Sequence, residues 1–219
     1  MAANPSRRLC AGEAENLFCK EAPELGLCKY GLSVGYNPIN YKELEAVLTG
    51  RPGPHSVFIG AGANLPHPSY GTPRETLEAA FEELTRRGVS VLRVSAWFTT
   101  APVPASDQPW YQNAVIEVAT DLSADRLLAI LHEVEEAFGR VRTTLNAPRM
   151  IDLDLLDFRG EIARGGAGLA TLPHPRLASR AFVLRPLADL APQWRHPVTG
   201  EAIQALLAAL PADQVTERL

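Results

Sequence analysis

The residues best placed to do chemistry are the aspartates of Arg149-Met150-Ile151-Asp152-Leu153-Asp154-Leu155-Leu156. On a strand, alternate side chains share a face, so Ile151, Leu153 and Leu155 point one way and Asp152 and Asp154 the other. Two carboxylates projecting together repel and need compensation. A divalent cation supplies it, and Mg²⁺ prefers oxygen ligands of this kind. The plainer alternative is a half-exposed strand whose outer face carries two aspartates. Arg140, Arg142 and Arg149, in the loop leading into the strand, weigh against it. Guanidinium groups stay charged and grip phosphate oxygens bidentately. Carboxylates beside arginines suit a metal-bound polyphosphate, the machinery of phosphoryl transfer.

Two further groups lie to either side. Downstream, Leu172-Pro173-His174-Pro175-Arg176 is followed by Arg180-Ala181-Phe182. Prolines hold His174 in an extended segment, where it either completes a phosphate cage with the arginines or sits in a surface turn. Upstream, Thr99 to Pro104 precedes Gln108-Pro109-Trp110-Tyr111-Gln112-Asn113-Ala114. Tyr111 and Asn113 alternate onto one strand face, where an aromatic ring and an amide would suit a planar heterocycle. A core aromatic and a turn asparagine would look the same in sequence.

The elements that must position these residues follow from periodicity. Ser56 to Gly60 is a short apolar run stopped by glycine, which predicts a buried strand. Thr72-Pro73-Arg74-Glu75 is a capping box with proline at the first helical position. Leu77, Ala80, Phe81 and Leu84 follow at helical spacing, and Gly88 ends the helix. Val89 to Phe98 and Tyr111 to Thr120 predict two more strands. Ser123 caps a second helix with Leu127, Leu128, Leu131, Val134 and Phe138 inward, closed by Gly139. Met150 to Phe158 is the fourth strand, and helices are expected near Arg180–Leu190 and Glu201–Leu210. The order β-α-β-β-α-β predicts an α+β, ferredoxin-like domain: an antiparallel sheet with helices on one face, plus additional C-terminal helices.

The chain has 219 residues, and a compositional break falls near Gly50-Arg51-Pro52-Gly53-Pro54. All three lysines (Lys20, Lys29, Lys42) and all three cysteines (Cys10, Cys19, Cys28) precede it. Residues 1–55 therefore read as a poorly ordered extension of unknown role, with a short helix at Tyr41 to Leu48, and 56–219 as the working domain. The cysteines lack a Cys-x-x-Cys pair and read as free thiols. A net charge of −4 argues against non-specific nucleic-acid binding. No apolar run reaches membrane-spanning length, and glutamates interrupt any secretory profile, so a cytoplasmic protein is expected.

Taken together, these segments resemble the 6-hydroxymethyl-7,8-dihydropterin pyrophosphokinases over roughly residues 57 to 195. The resemblance rests on Gly62-Ala63-Asn64-Leu65, Gln108-Pro109-Trp110-Tyr111-Gln112-Asn113-Ala114-Val115, Gly139-Arg140-x-Arg142 and Pro148-Arg149-x-x-Asp152-Leu153-Asp154. Pro173-His174-Pro175-Arg176 with Arg180-x-Phe182 completes it.

The resemblance implies diphosphate transfer from ATP to a hydroxymethyl pterin, with AMP leaving. Asp152 and Asp154 would hold two Mg²⁺ ions, and Arg140 and Arg149 would close over the nucleotide as catalytic groups. Arg142, His174 and Arg180 would grip phosphates, with His132, Glu135, Leu155 and Thr171 completing the ATP site. Tyr111 and Phe182 would sandwich the pterin, and Asn113 would read its edge with backbone groups of Thr100 and Val103. The family's usual tryptophan or basic residue before Gly-Pro-Arg is replaced here by Leu145-Asn146-Ala147-Pro148. The resemblance further implies a monomer whose partners are small molecules. A non-catalytic pterin- or nucleotide-binding module and a different phosphotransferase are the rivals that product analysis separates.

Overall fold

The computed structural model describes residues 56–102, 106–140 and 148–219. Their order is β1 (Val57–Ala63), α1 (Pro73–Arg86), β2 (Ser90–Val94), β3 (Phe98–Thr100), β4 (Tyr111–Ala119), α2 (Ala124–Ala137) and β5 (Asp152–Phe158). A 3-10 turn (Leu177–Ser179), α3 (Ala181–Leu190), α4 (Ile203–Ala208) and β6 (Thr216–Arg218) follow. The 1–55 extension with its cysteines and Tyr41–Leu48 helix lies outside the described residues, as do Val103, Arg142 and Leu145 to Ala147.

The helix starts behave as their sequences demand. The Thr72 hydroxyl accepts the Glu75 N–H while the Glu75 carboxylate accepts the Thr72 N–H, so α1 opens on a reciprocal capping box. Ser123 caps α2 through the Arg126 N–H. Gly88 and Gly139 follow the two helices at φ 83° and 75°, a backbone region that suits glycine.

All strand pairs are antiparallel, in the order β5-β1-β4-β3-β6, with β2 also paired to β4. Taking β2 and β3 as halves of one interrupted strand, this is the β-α-β-β-α-β core expected of a ferredoxin-like sheet. The interruption corrects the single strand read from Val89 to Phe98. Val94 pairs with Ile116 but Phe98 pairs with Asn113, so β2–β3 spends four residues where β4 spends three. Ser95 fills the gap: its hydroxyl accepts the Val115 N–H at 3.0 Å and its N–H donates to Val115 O at 2.9 Å. The Ala96 N–H meanwhile donates to Asp189 of α3.

The two helices of the core share one face, as expected, and the additional C-terminal helices cover the other. Val57, Ile59, Ala61, Ile116, Leu153 and Leu155 pack with Leu77, Leu84, Leu127, Leu131 and Val134 from α1 and α2. On the reverse face Phe58, Val115 and Leu156 pack with Leu184, Leu187, Trp194 and Ile203. Each fully buried aliphatic side chain contributes roughly 1.5–3 kcal/mol by leaving water, so both layers stabilise the sheet. Leu128 is only half-buried, and Ile130 is the better buried residue of α2. β6 adds an edge strand on β3 that no local pattern foretold.

β1 also runs past the glycine expected to stop it, with Gly60 and Gly62 inside the strand. A strand hydrogen-bonded on both sides, to β4 and β5, tolerates glycine where an edge strand would fray. These glycines matter for the site. The cross-strand register aligns Asp152, Gly62, Asn113 and Phe98 in one row, and Asp154, Gly60 and Val115 in the next. Directly opposed residues share a face, so a bare strip of backbone separates the two aspartates from Asn113.

Candidate active site

Asp152 and Asp154 project from the edge strand β5 onto the reverse face, as the period-two pattern requires, while Ile151 and Leu153 are buried on the other. Each carboxylate has its own cationic partners. Asp152 pairs with Arg140 at 2.6 Å and Arg149 at 2.7 Å, one oxygen to each. Asp154 is looser, with Arg180 at 3.6 Å and His174 at 3.9 Å. Those distances leave it without a direct hydrogen bond to either. Burial, and then the charge of Asp152, push the Asp154 carboxyl above its usual range, against the pull of His174, Arg180 and Arg140. The neighbouring cations thus do not fully offset the cost of burying this carboxylate beside Asp152.

Glu135 braces this arrangement from α2. It is 1% exposed, pairs with Arg140, and accepts the β5 backbone N–H of Leu153 at 2.7 Å. Its carboxylate therefore aims Arg140 at Asp152 while tying the helix to the strand. His174 is held by its own backbone N–H on Leu156 O, and its Nδ1 accepts the Arg176 N–H. Burial lowers the His174 pKa, against the opposing pull of Asp154. With Nδ1 accepting, neutral His174 carries its proton on Nε2, the atom facing Asp154.

A cavity of about 320 Å³ opens beside this group, lined by His132 and Glu135 of α2, Asp154 and Leu155 of β5, and Thr171 and His174. Leu128 and Leu169 add apolar wall. The cavity thus joins carboxylate, imidazole and guanidinium groups at one end to an apolar slot, as a nucleotide would need.

On the far side of the glycine strip, the Asn113 side chain is 5% exposed and its Nδ2 donates to the Thr100 hydroxyl at 2.8 Å. Thr100 thus orients Asn113 through its side chain, a contact separate from the backbone role toward the pterin that the resemblance implies. Tyr111, on the same face, hydrogen-bonds Gln108 at 3.3 Å, and burial raises its phenol pKa. Phe182 lies at the start of α3 with the Arg180 guanidinium 5.2 Å over its ring. The fold thus gathers Arg140, Arg149, Asp152, Asp154, His174 and Arg180 into one charged cluster. Leu155, Thr171, His132 and Glu135 join it at the cavity, and Thr100, Asn113 and Tyr111 form a neighbouring group.

Sequence reasoning gave no role to Gly60, Gly62 or Asn64, although two of them stand in a quoted motif. A Cβ on Gly62 would lie 2.6 Å from Asn113 Oδ1, and one on Gly60 would lie 3.3 Å from the Leu156 side chain. The first contact is closer than real Cβ atoms adopt, so Gly62 is what lets the Asn113 amide lie over β1.

A family model described as 7,8-dihydro-6-hydroxymethylpterin-pyrophosphokinase matches residues 58–192. The chain belongs to this family. The 2-amino-4-hydroxy-6-hydroxymethyldihydropteridine pyrophosphokinase of Pseudomonas aeruginosa is 37% identical over 164 residues, covering 74% of this chain and 96% of that protein. Its namesake in Synechocystis is 36% identical over 154 residues, covering 70% and 75%. The folic acid synthesis protein fol1 of Pneumocystis carinii is 36% identical over 148 residues; the match spans 68% of this chain but only 19% of that protein. Among solved structures, the Plasmodium falciparum HPPK-DHPS with pteroate shares the fold over 70% of this chain and 44% of its own, at a TM-score of 0.54 and 12% identity. The match to the pyrophosphokinase family takes in all three groups of residues above, from the glycine strip to Phe182. Among the described residues, no helix is long and apolar enough to cross a membrane.

Proposed function

We propose that residues 56–219 form a domain that transfers diphosphate from ATP to the hydroxymethyl group of 6-hydroxymethyl-7,8-dihydropterin in folate biosynthesis, releasing AMP. The hydroxymethyl oxygen, losing its proton, attacks the β-phosphorus of ATP, and the bond from that phosphorus to the α,β-bridging oxygen breaks. The observation that carries this reading is the row Asp152–Gly62–Asn113, which sets a carboxylate and a buried amide on one face with no side chain between them.

The donor set fits Mg²⁺: two hard oxygen groups on one strand face, one of them without a direct hydrogen bond to its cationic neighbours. Among the described residues no third acidic, histidine or cysteine ligand joins them, so the triphosphate and water would complete the shell, as Mg²⁺ commonly accepts. Asp152 and Asp154 would hold two ions, which neutralise the triphosphate and lower the repulsion met by the attacking oxygen. The protein's own groups do the rest. His174, through Nε2–H, and Arg180 donate to phosphate oxygens at the Asp154 end. Arg140 and Arg149 exchange their bonds to Asp152 for bonds to the transferring group, and Arg142 adds a further cation. Leu128, Leu155 and Leu169 enclose the nucleoside, with His132 and Thr171 as polar contacts. Tyr111 and Phe182 stack on the pterin while Asn113, held by Thr100, reads its edge, assisted by Val103. Apolar walls exclude water, whose attack on ATP is the competing reaction.

The test is product identity. Protein incubated with Mg²⁺, ATP and the hydroxymethyl dihydropterin releases AMP only when the pterin is present, and an Asp152→Ala, Asp154→Ala double variant releases none. ADP in place of AMP would make the domain an ordinary kinase, and no turnover would make it a binding module.

Gly62→Ala probes the pterin side. The added methyl displaces the Asn113 amide and breaks its bond to Thr100. We expect the pterin KM to rise about tenfold to a hundredfold, the effect of one or two lost hydrogen bonds, with the ATP KM unchanged. Steady-state titrations of each substrate read this directly.

A further inference from the structure

Asn64 has no role in the reaction as set out above, yet it is 2% exposed and engages both halves of the site. It follows β1 directly. Its Oδ1 accepts the Arg149 N–H at 2.8 Å, and its own N–H donates to the Arg149 carbonyl at 3.0 Å, where Leu65 N–H adds a bond at 3.3 Å. The backbone of Arg149 is thereby clasped on both sides, just before the strand that carries Asp152. On its other side Asn64 Nδ2 donates to the Pro109 carbonyl at 3.1 Å and to Gln108 Oε1 at 3.3 Å. That same Gln108 oxygen accepts the Tyr111 hydroxyl at 3.3 Å.

The chemistry admits only this amide. An N–H can only donate and a carbonyl can only accept, so one side chain must offer an acceptor to Arg149 and a donor to Pro109. Among residues of this size asparagine alone carries the acceptor and the donor on two separate atoms, as the two contacts require; aspartate offers the acceptor without the donor. The group is buried, so either half left unmatched is costly. Arg149 lies beyond one loop and Gln108–Pro109 beyond another, and this side chain bonds to both. We infer that Asn64 is a positioning residue, setting the Arg149 guanidinium and the Tyr111 pocket in register with each other. This rests on the pyrophosphokinase reading above.

Asn64→Asp keeps the acceptor for Arg149 and sets a carboxylate against Pro109 O and Gln108 Oε1. It should raise the pterin KM about tenfold and leave the ATP KM alone. Asn64→Ala frees both sides and should lower kcat on the order of 10²-fold, because a displacement near 1 Å of an aligned group has that effect. Gln108→Ala removes one of the two Nδ2 contacts together with the acceptor of the Tyr111 hydroxyl, and should raise the pterin KM without the kcat loss of Asn64→Ala. Each variant is measured beside its thermal unfolding curve. Variants that melt earlier but keep wild-type kcat and both KM values would make Asn64 merely structural and overturn the inference. An equal rise in both KM values in Asn64→Asp would do the same. Should Asn64→Ala not fold, Asn64→Asp and Gln108→Ala decide between these outcomes. Absence of AMP from the wild type, by contrast, overturns the reaction itself.

Discussion

Asp154→Asn abolishes pterin-dependent AMP release and, in the absence of Mg²⁺ and nucleotide, raises the melting temperature of the protein. The two effects share one cause. Folding buries Asp154 beside Asp152 with Arg180 and His174 too distant for direct hydrogen bonds, and burial first, then the Asp152 charge, raise its carboxyl pKa above the unfolded value. The sign follows from proton binding. A group whose folded pKa is raised holds its proton more tightly when folded, so its favourable contribution exists at low pH and disappears as pH rises through the folded value. At neutral pH the ionised carboxylate therefore opposes folding, and asparagine removes the charge while keeping the shape. Every kcal/mol so relieved raises the melting temperature by about 2–4 °C in a chain of this size. Calorimetric scans in a chelating buffer, beside an AMP assay, measure both halves. A lower melting temperature would mean that Arg180 and His174 already satisfy Asp154, and the case for an uncompensated charge awaiting a cation would fail.

What the sequence disclosed about this site, and what it withheld, follows from the range of the interactions involved. The start of α1 is written in Thr72 and Glu75, which bond to each other three residues apart. The shared face of Asp152 and Asp154 is equally local, because period two on a strand requires no knowledge of the neighbours. The division of β2 from β3 was not legible, since it depends on Ser95 bonding Val115 and on Ala96 bonding Asp189, 93 residues away. Gly60 looked like a strand end because glycine usually is one, but pairing on both sides overrides local preference. The meaning of Gly62 and Asn64 was hidden for the same reason: both act through residues of other strands and loops. β6 carries only Thr216, Glu217 and Arg218, with no alternation to reveal it. Phe182 stands apart, since its place across a pterin from Tyr111 is an expectation drawn from resemblance, and the group over its ring in the structure is Arg180.

The pairing of Asp152 with two arginines has a consequence that separates two accounts of Arg149. If Arg149 merely anchors ATP, its loss raises the ATP KM. The structure favours a different account. Arg149 and Arg140 each hold one oxygen of Asp152, the carboxylate a divalent cation would need, so they stand where that positive charge would sit. Arg149→Ala removes a competitor for that carboxylate, and it also removes a planar donor from the transferring phosphoryl group. The expected result is a fall in kcat of about 10²–10³, the usual effect of deleting one preorganised donor, with an ATP KM that is unchanged or lower. Arg149→Lys should restore little, because an ammonium group lacks the planar fork that can grip phosphate oxygens bidentately. Arg140→Ala should add a second penalty, since it removes one charged partner of the buried Glu135 and lowers the melting temperature as well. Single-turnover AMP release at saturating ATP isolates the chemical step, and calorimetric titration with a non-hydrolysable nucleotide isolates binding. A large loss of nucleotide affinity in Arg149→Ala, with the single-turnover rate preserved, would return Arg149 to the role of an anchor and leave Arg140 alone to steady the transferring group.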